Sequence, residues 1–154
     1  MKTAAIIPAM MAALLPATVA GAQTNSDQAL FDVAFEFCLS SFEARAAGLD
    51  EPEPLDWNGR AGGPMGVWER QQTFVMRSPM TCTITQDRSA ADIADGLPAR
   101  LESLGFSPNP DARGFQPGGV VWDRLPVRVM VERVKESQVE DRVVLIFGIA
   151  AETD

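Results

Sequence analysis

Two cysteines constrain this chain more than any other pair of residues. Cys38 lies in ALFDVAFEFCLSSFEA, residues 29–44, and Cys82 in MTCTITQ, residues 80–86. In the first stretch Phe31, Ala34, Phe35, Cys38, Leu39 and Phe42 recur at helical spacing and make one apolar stripe. In the second, Met80, Cys82 and Ile84 alternate with Thr81, Thr83 and Thr85, the pattern of a half-buried strand. Both thiols therefore face the apolar side of their element. A helix packed on that sheet face brings them into one layer, and a bridge fastens helix to strand. Closing the chain between positions 38 and 82 stabilises the fold by ~4 kcal/mol in the chain-entropy model. A catalytic or redox thiol needs partners that are missing: there is no CxxC spacing and no histidine. A structural Cys38–Cys82 disulfide is the expectation.

A disulfide requires an oxidising compartment, and the N-terminus supplies the route to one. One positive charge, Lys2, precedes an uncharged apolar run and the small residues Ala20-Gly21-Ala22. That is the layout of a cleaved signal peptide, with the cut expected after Ala22 and Gln23 as the first mature residue. Two prolines interrupt the apolar run and no basic stop-transfer cluster follows, which argues against a membrane anchor. No later segment is long and apolar enough to span a bilayer, so no stable membrane insertion is expected after cleavage. Residues 1–22 are read as the signal and 23–154 as a single domain. Removing 22 residues from 154 leaves 132, enough to bury a core. The expected location is periplasmic or secreted.

Along the mature chain, residues 26–48 read as a helix capped at Asn25 or Ser26 and ended by Gly48. Residues 49–66 read as a Pro- and Gly-rich loop, 67–77 as one strand and 80–86 as a second. Ser89 with Asp92 opens another helix, whose line Ile93, Leu97, Leu101, Leu104 is interrupted at Gly96 and Pro98 and ends at Gly105; a kink or two short helices are expected. After a loop over 107–119 come strands at 120–123, 125–134 and 142–151, the last two joined by a polar hairpin loop, KESQVED. In the 125–134 strand, Leu125, Val127, Val129 and Val131 share a face. The fold class is α+β: a two-layer sandwich with an antiparallel sheet of four to five strands and both helices on one face.

Missing residue types exclude several chemistries. Without histidine there is no Ser-His-Asp or Cys-His catalysis in cis and no His-rich zinc site. Neither G-x-x-x-x-G-K-[ST] nor G-x-G-x-x-G occurs. A formal charge of −8 with no basic run offers nucleic acid no electrostatic footprint. The carboxylates of the first loop, Asp50, Glu51, Glu53 and Asp56, are candidates for a paired-carboxylate hydrolase. The DWNG stretch at 56–59 has part of a calcium-loop pattern, but the following acidic and glycine spacing is wrong. No catalytic residue, metal ligand or cofactor is assigned.

The layout of signal peptide, CLSSF-type helix, one later cysteine strand, a Leu-rich helix ending in Gly-Phe, and terminal strands resembles that of uncharacterised small secreted and periplasmic proteins of Gram-negative bacteria. The resemblance covers most of the mature chain, carries no specific motif and implies no activity. The terminal strand is more informative. In VVLIFGIAA, Val144 and Ile146 point opposite to Val143, Leu145 and Phe147, so both faces are apolar and the strand belongs at the centre of the sheet. Helices cover one face. The other is expected either to be covered by a loop, with Trp57 or Phe115 over it, or to meet a protein partner or a second copy; loop cover is slightly favoured. The candidate interaction surface is Trp57, Trp68, Arg128, Met130, Val144 and Ile146. The leading expectation is a non-catalytic binding domain, with a carboxylate-pair hydrolase or a structural envelope protein as alternatives.

Overall fold

The computed structural model describes residues 19–57, 60–62, 65–87, 90–134 and 142–150. Helix α1 (Val19–Ala47) carries the apolar stripe, with Phe31, Phe35, Cys38 and Phe42 fully enclosed. It begins earlier than the caps at Asn25 or Ser26 suggest. Those polar residues lie inside it, preceded by Ala20, Ala22 and Gln23, which are good helix formers. Its end is a Schellman turn at Gly48, whose φ of +68° suits glycine. There Leu49 N donates to Ala44 O at 2.8 Å and Gly48 N to Arg45 O at 3.1 Å.

The described residues form one antiparallel sheet of eight strands: β1 (Arg60–Gly62), β2 (Met65–Arg70), β3 (Thr73–Arg77), β4 (Cys82–Gln86), β5 (Ser107–Pro108), β6 (Val120–Arg124), β7 (Val127–Val134) and β8 (Arg142–Ile149). Their order across the sheet is β1-β2-β3-β4-β8-β7-β6-β5. The α+β architecture and antiparallel pairing are as expected, but four to five strands is an undercount. The segment 67–77 is a hairpin, not one strand: Arg70 pairs with Thr73 and the chain reverses at Gln71–Gln72. Gln71 takes the positive φ, 55°, that a tight reversal needs and that glycine or asparagine usually signals. Leu125 is correspondingly not part of the inward face; with Pro126 it forms the β6–β7 turn and is exposed. Strand β8 is central, between β4 and β7. The KESQVED loop lies outside the described residues, as does Ser89.

Helix α2 (Ala90–Ser103) continues past Gly96 and through Pro98 as one helix, not two short ones. It ends as α1 does. Gly105, at φ +83°, lets Phe106 N reach Leu101 O at 2.9 Å. Ile93, Leu97 and Leu101 join Phe31, Phe35 and Phe42 in the single cluster that includes Val75, Ile84, Leu145 and Val129. Both helices thus cover the same sheet face. Cys38 and Cys82 meet in that layer as a disulfide, with Cα atoms 5.5 Å apart.

Candidate functional site

The sheet's second face is read directly from register. Val67, Met76, Thr83, Ile146, Met130 and Val121 lie opposite one another on successive strands and form one row across six strands. A parallel row runs Glu69, Phe74, Thr85, Val144 and Glu132. Most of these side chains are half-exposed: Val67, Phe74, Thr83, Thr85, Val144, Ile146 and Met130 are neither buried nor free, and Met76 is exposed. Their strand neighbours, Val75, Ile84, Leu145 and Val129, are fully buried under the helices. Alternation along each strand therefore divides a covered from an uncovered side.

Among the described residues, cover by a loop reaches only one margin. The 109–119 loop returns over β7, where Glu132 is buried and its Oε1 accepts from Gln116 N at 3.0 Å. Gly114 and Gly119 press on that carboxylate's side chain so closely that an added Cβ would stand 3.2 Å from it. Val121 is buried beside it. Phe115 does not lie over the row; it is 79% exposed.

A polar clasp borders the row. Arg128 faces Asp123 across the β6–β7 pair, donating Nε to Oδ1 at 2.7 Å and Nη2 to Oδ2 at 2.8 Å. Asn109 Nδ2 adds a third bond to Oδ2 at 2.7 Å. The bond from Arg128 holds the Asp123 carboxyl below its ordinary 3.8; partial burial opposes this, and Asn109 adds to the lowering. Arg128 is raised in turn by its hydrogen bond to Asp123. The charges cancel in place, and a carboxylate held ionised in this way is not poised as a general acid.

The six residues expected to share a surface divide between the two faces. Arg128, Met130, Val144 and Ile146 lie together on the open face. Trp57 and Trp68 are buried on the helix side and belong to the core cluster. Trp68 packs edge-on against Phe37 at 5.3 Å, and its ring occupies the space above Gly66, where an added Cβ would come within 2.0 Å of it. Sequence reading missed Val67, Phe74 and Met76 as members of the open face. Their alternation becomes legible only once the β2–β3 hairpin is recognised. No group of three or more potential metal-ligating residues occurs among the described residues. Comparison with protein-family models, curated proteins and solved structures found no match.

Proposed function

We propose that this is an exported, non-catalytic binding domain that docks a protein partner on the open sheet face, and that its location is the periplasm or the cell exterior. The observation that carries the reading is the row of half-exposed Val67, Thr83, Ile146 and Met130 with exposed Met76, beside Phe74 and Val144. A contiguous apolar patch on a folded domain marks an interaction site more often than a neutral surface. The central residues are uncharged, and the border carries exposed Glu69 and two internally neutralised pairs, Arg128–Asp123 and Arg142–Asp87, which is the apolar core and polar rim of an interface. Edge pairing is the weaker route, because the outermost strands β1 and β5 have only three and two residues. Export is supported by the leader-like residues 1–22 together with the disulfide, which persists in oxidising compartments. No described helix is long and apolar enough to cross a membrane.

The test is site-specific photo-cross-linking in the producing cell. A benzophenone side chain at Val144 is expected to yield a discrete adduct, and the same group at exposed Leu125, in the β6–β7 turn, is not. An adduct with a second copy would keep the face and make the occupant this chain itself. Equal labelling from both positions, or none from Val144, would remove the proposal.

A further inference from the structure

We infer that an open pocket beside the C-terminal end of α1, unconnected to the open sheet face, binds the carboxylate of an apolar ligand, with Glu51 standing in for that carboxylate when the ligand is absent. The pocket has a volume of about 450 Å³. Arg45 and Arg77 supply its positive charge, Glu51 and Glu53 its negative charge, and Pro52, Pro54 and Pro79 its walls.

Each guanidinium is held by contacts that do not involve Glu51. Arg45 lies over the Phe42 ring, 4.7 Å from its centroid, and donates Nη1 to the carbonyl of Pro79. Arg77 projects from the helix-covered face of β3 and stacks on Phe37 at 5.0 Å and on Trp68 at 5.6 Å. Trp68 is in turn seated against Gly66. Arginine stacked on aromatic faces is oriented before any anion arrives. The Arg77 side chain is only 11% exposed, and its Nε and Nη1 have no hydrogen-bond partner among the described residues.

Glu51, from the loop after α1, occupies the space between the two cations. Its Oε1 accepts from Arg45 Nη2 at 2.6 Å and Nε at 3.1 Å. Its Oε2 stands 3.3 Å from Arg77 Nη1, close enough for charge attraction but without hydrogen-bond alignment. One carboxylate thus bridges two fixed arginines, satisfying one and leaving buried donors of the other unused. An incoming carboxylate that takes the place of Glu51 and sits closer to Arg77 could accept from Nη1, and a buried donor left unpaired is costly. The rigid proline walls suit an apolar group attached to that carboxylate. Glu53 at the lining limits the pocket to ligands of low negative charge.

The experiment follows the indole signal of Trp68 by NMR during titration with N-acetylphenylalanine, using the native chain and Glu51→Gln. Removal of the internal carboxylate is expected to tighten binding at least tenfold, with N-acetylphenylalanine amide inert. Arg45→Gln added to Glu51→Gln is expected to abolish binding while circular dichroism reports an intact fold. A peptide ending in a free phenylalanine carboxylate separates the two ligand sources. Tighter binding than N-acetylphenylalanine assigns a chain terminus, equal or weaker binding a small carboxylate, and both uphold the site. Equal affinity of the native chain and Glu51→Gln, equal response to acid and amide, or stronger binding of inorganic phosphate would overturn it.

Discussion

Replacing both cysteines, Cys38→Ala with Cys82→Ala, tests how much of the helix–sheet layer depends on its one covalent tie. The bridge spans a sequence separation of 44. For a loop of that length the chain-entropy relation gives a loss of ~4 kcal/mol at 25 °C, within the ~2–5 kcal/mol found when a native disulfide is removed from a small exported domain. Set against a total stability of about 5–15 kcal/mol, that is about a quarter or more of what holds the domain folded. Both sulfurs are completely buried, so truncation also removes packing atoms and the loss should not fall below the entropic figure. The assay is urea unfolding of the native and doubly substituted chains, each with and without reductant. Reductant should bring the native midpoint down close to that of the variant and leave the variant unmoved. A native-to-variant difference under about 1 kcal/mol, or two titratable thiols in protein purified from the producing cell without reductant, would refute the reasoning.

Gly66→Ala puts a methyl group 2.0 Å from the Trp68 ring, so the indole must leave its seat. A stability loss of about 1–3 kcal/mol, with a shifted tryptophan emission, is expected from thermal melts and fluorescence. Asp123, whose folded pKa lies below 3.8, stabilises the domain above its unfolded pKa and loses that contribution as pH falls through the lowered value. The native chain should therefore lose more stability between about pH 5 and pH 2 than Asp123→Asn does, measured by unfolding at each pH; parallel curves would contradict the assignment.

Much of the fold was legible because its largest signals are periodic. The α1 stripe, the Gly48 and Gly105 ends, the Cys38–Cys82 bridge and the central place of β8 all follow from spacing or from two-sided apolarity. Misses fall where the local signal is weak or shared. Gln71–Gln72 turns a hairpin without glycine, asparagine or aspartate, so β2 and β3 read as one strand. Strands β1 and β5 are too short to show alternation. Pro98 reads as a helix breaker, yet α2 passes through it with Ile93, Leu97 and Leu101 buried on the core side. For the open face, the register of β8 was sufficient to pair Val144 with Ile146, and that of β7 added Arg128 and Met130. Tryptophan identity carries no information about side, and Trp57 and Trp68 went to the core. The Arg45–Glu51–Arg77 arrangement depends on where β3 lies against α1, a tertiary relation that no local pattern encodes.

The central claim is that adjacent residues of β8 serve opposite purposes, Leu145 for the core and Ile146 for a partner. Introducing an aspartate at each in turn tests this most directly, with urea unfolding and the Val144 photo-adduct as paired readouts. Leu145 is wholly buried, so Leu145→Asp should cost at least about 4 kcal/mol and leave little folded protein. Ile146 is half-exposed, so Ile146→Asp should cost about 1 kcal/mol, retain the fold and abolish the adduct. Unfolding by Ile146→Asp to the same extent as by Leu145→Asp, or a folded Ile146→Asp protein with its adduct undiminished, would contradict the account.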